Sequence, residues 1–159
     1  MVAAGAELVA ATCAAAHVDI TPRQIPPQKL ARLTVTVENE RVRASTVKVA
    51  IKLPSNLIVV RFEPKPGWRR TTTTRPLARP LRINGQTIRR RAEIVTWVAR
   101  KRGFGPGHVR SAFRLRAVAR TRAGRTLAFP TVQTYSNGEI TRWIGSPDSD
   151  TPAARVTIR

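Results

Sequence analysis

A chain of 159 residues, 42% of them hydrophobic, is long enough to bury a core as a single domain, and no uninterrupted apolar run nears the ~20 residues that a membrane-spanning helix requires. The formal net charge is +20, from 29 Lys plus Arg against 9 Asp plus Glu, which attracts anionic surfaces at low salt. Aromatic residues make up only 5% and are not interleaved with the basic runs, which argues against a single-strand nucleic-acid binder.

The chain opens with an alanine-rich segment, Met1 to Ala16, that reads as a secretory leader cleaved after the small residues Ala14, Ala15 and Ala16. It has no Lys or Arg and carries Glu7 in its apolar part, as the tail of a longer signal would. The competing reading is an ordinary flexible amino terminus. Lipidation at Cys13 fits less well, because Thr12 is bulky for the preceding position and His17 would then stay inside the chain. Cleavage after Ala16 makes His17 the first residue of a domain over 17–159, with a free α-amine beside its imidazole. Cys13, the single cysteine, leaves with the leader, so this domain has no disulfide and no thiolate metal site.

From there the pattern is all-β. Arg32–Val37 and Ser45–Pro54 alternate apolar with polar residues, Val47, Val49, Ile51 and Leu53 facing one way and Lys48 and Lys52 the other. Further strands are predicted over Leu57–Glu63, Ala92–Ala99, Ser111–Arg120, Thr126–Tyr135 and Glu139–Ile144. Turn signals separate them: Lys65–Trp68, the glycine-rich Gly103–Gly107, and Asn137-Gly138, which predicts a tight primed hairpin turn. Many short strands with this punctuation predict one immunoglobulin-like β-sandwich, without repeats or a second domain.

The stretch "VQTYSNGEITRWIG", Val132 to Gly145, carries a specific resemblance, supported by "AHVDITPRQIPP" from Ala16, "VENERVRASTVKVAIKLP" from Val37, "EPKPGW" from Glu63, "IVTWVA" from Ile94 and "GFGPGHVRSAF" from Gly103. In that order and spacing the chain resembles the YcnI-like family of exported bacterial copper-binding proteins almost end to end from His17. The resemblance implies an immunoglobulin-like sandwich and a Cu(II) site called a monohistidine brace. It places the amino-terminal ligand at His17, through its α-amine and one imidazole nitrogen, and the carboxylate ligand at Glu40. Glu38 is the nearby competitor, at a position where the family commonly has an uncharged residue. The third family position is Trp143, whose indole would cover the open face of the metal.

Each of these residues has an ordinary reading beside the functional one: a solvated terminal histidine, a solvated strand-end glutamate, a core tryptophan. Glu139 and Thr141 share the period-two positions of Trp143, whereas Ile140 and Ile144 alternate onto the other face, which predicts that Trp143 lies off the most apolar side. Trp68 and Trp97 read as packing residues. His108, the second histidine, falls at a variable family position and reads as a water-exposed turn residue. No Ser/His/Asp set, paired-carboxylate motif or glycine-rich phosphate loop stands out, so the expectation is a non-enzymatic protein.

The charge is the main departure from the family. Arg89, Arg90 and Arg91, then Arg100, Lys101 and Arg102, form clusters, and Arg114, Arg116 and Arg120 read as sharing one strand face opposite inward Phe113, Leu115, Ala117 and Ala119. The expectation is an extracytoplasmic Cu(II)-binding protein of copper homeostasis or trafficking, whose partners are other copper-handling or membrane copper-transport proteins. The alternative is a basic module that binds polyanions or nucleic acid. The family often has a hydrophobic carboxy-terminal anchor, and this sequence ends at Arg159 without one.

Overall fold

The computed structural model describes residues 17–159, so the leader read over Met1 to Ala16, with Cys13, lies outside the described residues. Among the described residues there are twelve strands: β1 (Val18–Thr21), β2 (Gln24–Ile25), β3 (Leu30–Glu38), β4 (Thr46–Lys52), β5 (Leu57–Phe62), β6 (Trp68–Ile83), β7 (Gln86–Ala99), β8 (Arg110–Ala119), β9 (Thr126–Phe129), β10 (Thr131–Tyr135), β11 (Ile140–Trp143) and β12 (Ala154–Ile158). They form a four-stranded sheet in the order β1-β3-β8-β5, a five-stranded sheet β11-β10-β4-β7-β6, and a small sheet β2-β12-β9. Among the described residues there is no helix.

Period-two alternation explains why the two larger sheets face each other. Leu33, Val35 and Val37 of β3 and Phe113, Leu115 and Ala117 of β8 are buried, while the residues between them point away. Val49 and Ile51 of β4 meet them from the other sheet, with Val95 and Trp97 of β7, in one continuous core. Each such fully buried aliphatic side chain stabilises the fold by roughly 1.5–3 kcal/mol. Trp97 packs 4.9 Å from Phe113 and 5.9 Å from Phe62 between ring centroids, and Trp68 lies 5.4 Å from Phe113. Both tryptophans are therefore packing residues, as their sequence context suggests.

Two expectations are corrected, and one long strand is added. The single strand expected over Thr126–Tyr135 is two strands, because Pro130 has no N–H to continue a ladder. β9 before it pairs with β12, and β10 after it pairs with β4. The long β6 went unrecognised because its arginines, threonines and two prolines hide the alternation; Pro76 and Pro80 are tolerated there because β6 is an edge strand. The primed Asn-Gly turn is also elsewhere. Asn84 and Gly85, with φ of 48° and 78°, close the β6–β7 hairpin directly below the Ile83–Gln86 pair, whereas at Asn137-Gly138 only the glycine is left-handed and the turn is longer.

The β6–β7 hairpin outruns the sheet. β4 accompanies β7 only as far as the Lys52–Ile94 pair, and beyond it β6 and β7 continue as a two-stranded ribbon to Ile83 and Gln86. Leu77, Leu81, Ile83 and Ile88 of the ribbon pack on Ile58 and Val118, so it folds over the outer face of β5 and β8. Replacing Gly85 by alanine forces a Cβ into a left-handed turn and should cost about 1–2 kcal/mol in urea unfolding. Asn137→Ala, which loses only the hydrogen bond from the Glu139 N–H, should cost less than about 1 kcal/mol.

Candidate metal centre

The site is built around a short loop, residues 39–45, that joins β3 to β4. Asn39 is fully buried at its start. Its side-chain amide donates to the carbonyls of Ala44 (2.8 Å) and Phe104 (3.1 Å), and its Oδ1 accepts from the backbone N–H of Arg41 (2.7 Å). One side chain thus closes the loop on itself and ties it to the glycine-rich segment 103–108. That segment lies against it through the His108 N–H to the Asn39 carbonyl and the Gly107 N–H to the Arg41 carbonyl. Gly105, at φ 84°, packs so closely on the Asn39 amide that a Cβ there would overlap it, which accounts for the glycine.

The three family positions lie around this loop. His17 is exposed and immediately precedes β1; one step beyond the Val18–Val37 pair, the antiparallel register places it across from Glu38. Glu40 sits half-buried in the loop itself. Trp143 is in β11, and its indole N–H donates to Gln133 Oε1 at 3.0 Å. The Gln133 amide in turn donates to Thr46 Oγ1 (2.7 Å) and to the Glu38 carbonyl (3.1 Å). A buried relay therefore connects the tryptophan to the backbone two residues before Glu40.

The face assigned to Trp143 from sequence is reversed. Trp143 is 2% exposed and belongs to the main core, whereas Ile140 and Ile144 are 46% and 54% exposed. The reason is that β11 is the outer strand of its sheet and follows the inward set of β10, where Thr131, Gln133 and Tyr135 are buried. Trp143 pairs with Thr131 and joins that inward set. With its N–H already committed, the indole can offer only its ring.

The competing carboxylates separate clearly. Glu38 Oε2 accepts from Arg110 Nε at 2.9 Å and Oε1 lies 3.1 Å from His108 Nδ1, and Glu139 pairs with Arg41. Glu40 has no ion pair or hydrogen bond to its side chain among the described residues, although it lies between these two groups in the chain. His108 is exposed, as expected, but its left-handed backbone (φ 57°) directs the ring to Glu38. Among the described residues no three His, Cys, Asp or Glu side chains gather as a metal cage.

Tyr135 is the component that sequence reading passed over. It is 1% exposed, Arg41 lies 4.8 Å above its ring, and its buried hydroxyl makes no well-formed hydrogen bond to a described residue, with Thr141 beside it. Burial pushes its pKa above the ordinary tyrosine range, Thr141 and Arg41 pull it down, and Glu40 and Glu139 add to the rise. Asn39, Gln133 and Tyr135 carried a readable signal, since each is a polar residue at an inward period-two position.

Fold and site together define the class: an immunoglobulin-like β-sandwich with a polar cluster built from the β3–β4 loop and the β10–β11 hairpin. A crystallised protein of Nocardia farcinica, described as having an immunoglobulin-like fold, matches 89% of this chain and 97% of its own at a TM-score of 0.69 and 26% identity. A cohesin of Acetivibrio cellulolyticus shares the fold alone, at 10% identity and a TM-score of 0.50 over 91% of this chain and 99% of its own. Residues 17–158 match the family model described as a domain of unknown function, DUF1775, and the chain belongs to this YcnI-like family. The copper-binding protein CutI of Bacillus subtilis (strain 168) is 28% identical over 145 residues, 91% of this chain, which spans 63% of that protein's length.

Two outcomes follow from this geometry. Asn39→Ala strands two carbonyls and an N–H and should lower unfolding free energy by about 2–4 kcal/mol in chemical denaturation. Because the folded state holds the Tyr135 proton more tightly than the unfolded chain does, stability should be constant below the ordinary tyrosine pKa and fall as pH rises through and above it. Tyr135→Phe should remove its share of that alkaline loss, measured by unfolding midpoints across the alkaline range.

Proposed function

We propose that the chain beginning at His17 binds one Cu(II) ion outside the cytoplasm, and serves copper homeostasis by holding the ion for other copper-handling or membrane-transport proteins. The observation that carries this reading is the carboxylate of Glu40, which has no ion pair or hydrogen bond among the described residues. It stands on a loop fixed by Asn39, at the sheet end to which the register brings His17. Glu38, the other candidate, is engaged by Arg110 and His108. Similarity to a copper-binding protein over most of the chain supports the metal.

The residues present fit such an ion. A terminal α-amine and an imidazole on one residue supply two nitrogen donors that close a chelate ring, and nitrogen with carboxylate oxygen suits Cu(II), which heads the divalent affinity series. The α-amine, ordinarily near pKa 7.7–8.0, yields its proton to a metal far more readily than a lysine near 10.4. Glu40 supplies an anionic oxygen and offsets part of the ionic charge. Trp143, held by Gln133, serves as a fixed wall whose ring limits water access. The unsatisfied Tyr135 hydroxyl near Glu40 leaves one buried polar atom at the same place, and so fits a site completed by a ligand. Because metal ligands bind in their deprotonated forms, copper affinity falls on acidification. This assembly binds and buffers the ion.

Competition titration with a copper chelator tests the assignment. Glu40→Gln should weaken Cu(II) binding by about tenfold or more, since a ligand is lost outright, and Trp143→Phe should weaken it less. Glu38→Gln should leave affinity within about threefold, because that carboxylate serves Arg110 and His108. Tight binding that survives Glu40→Gln but fails with Glu38→Gln would transfer the ligand role to Glu38.

A further inference from the structure

The outer face of the four-stranded sheet carries an arrangement unrelated to copper. Register places Arg32 of β3 opposite Arg116 of β8, and Arg116 opposite Arg61 of β5. Three arginines thus stand in one row across three adjacent strands, on the face opposite the core residues Leu33 and Leu115. Arg114 follows two residues along β8 on the same side. Like charges directly opposite on neighbouring strands destabilise a sheet. One carboxylate serves the row: Glu63 Oε1 lies 3.4 Å from Arg32 Nε and 3.7 Å from Arg116 Nε. Four guanidiniums against one carboxylate leave three uncompensated charges.

These residues, with Pro64, line an open basin of about 430 Å³. Arg32 and Arg116 remain 61% and 42% exposed in their side chains, so their forks face solvent. Lys65 follows Pro64 in the chain, its ammonium 4.4 Å from the Phe113 ring centroid and donating to the Ala112 carbonyl. Burial, and then Arg114, hold its pKa below the ordinary lysine value.

We propose that this row is a binding site for a ligand bearing a run of two or more phosphate groups. Guanidinium forks match phosphate oxygens in pairs, and exposed forks can do so without desolvating a core. Strands about 4.8 Å apart spread the three arginines over about 10 Å, which one phosphate cannot span and successive phosphates can. The bound ligand would remove the repulsion that the free row carries. Net charge attracts any polyanion, but the register concentrates the attraction at one place.

Calorimetric titration of the full chain with sodium tripolyphosphate, in metal-free buffer of low ionic strength, tests the row apart from the copper reading. Arg61→Gln with Arg116→Gln should weaken binding by about tenfold or more, and Glu63→Gln should tighten it several-fold by removing the internal competitor. Arg89→Gln with Arg90→Gln removes the same charge from the β6–β7 ribbon and should change affinity by less than about threefold. Without ligand, the Arg61 and Arg116 double variant should melt no lower than the parent, since repulsion is relieved, and tripolyphosphate should raise the melting temperature of the parent and of the Arg89 and Arg90 double variant by more than that of the Arg61 and Arg116 double variant. If the two double variants weaken equally, the general field binds and the row is not a site. Equal affinity for orthophosphate overturns the requirement for successive phosphates. An oligothymidylate that displaces tripolyphosphate identifies phosphodiester chains as the source of the ligand, and one that does not identifies free oligophosphates.

Discussion

The Asn39 side chain is the point on which the rest of the site depends. A buried primary amide must find partners for both its donors and its acceptor, and here all three are backbone groups of two different segments. Satisfying Asn39 therefore fixes the loop that carries Glu40 and, with it, the glycine-rich segment below. Ser45 extends the same tie, its hydroxyl donating to the Gly105 carbonyl and its N–H to Ser136 Oγ at the tip of the β10–β11 hairpin. Three loops distant in sequence become one rigid end of the sandwich.

The Trp143–Gln133 relay does for the five-stranded sheet what Asn39 does for the loop. A tryptophan N–H buried without a partner would cost roughly 1–3 kcal/mol, and Gln133 satisfies it while reaching the Glu38 carbonyl with its own amide. This couples core packing to the site. A residue that looks structural by burial thereby sets the distance between the indole and the Glu40 loop. Among the described residues nothing pairs with Glu40 because Arg110, His108 and Arg41 are directed by β8 and the adjoining loops toward Glu38 and Glu139.

Much of this was legible in the sequence. The inward sets of β3, β4 and β8 follow from alternation alone, and the immunoglobulin-like class from the number of short strands. Less legible was anything decided by an edge. β6 hides its periodicity under arginine and proline because one of its sides needs no partner, and Trp143 turns inward because β11 follows the burial of β10, against the apolarity of Ile140 and Ile144. The separation of Glu38 from Glu40 could not be read from spacing either, since it depends on which arginines the fold delivers to each. Net charge likewise said nothing of register, whereas the alignment of Arg32, Arg116 and Arg61 across three strands is a property of the sheet.

Whether a free amino-terminal histidine completes the site is decided by electron paramagnetic resonance of the Cu(II) complex. Protein beginning at His17 should give a type 2 spectrum with splitting from directly bound nitrogen. The same protein with Ala16 retained keeps the imidazole, Glu40 and Trp143 but buries the amine in a peptide bond, and that spectrum should be lost while the fold persists. An identical spectrum from both forms would rule out the amine as a ligand.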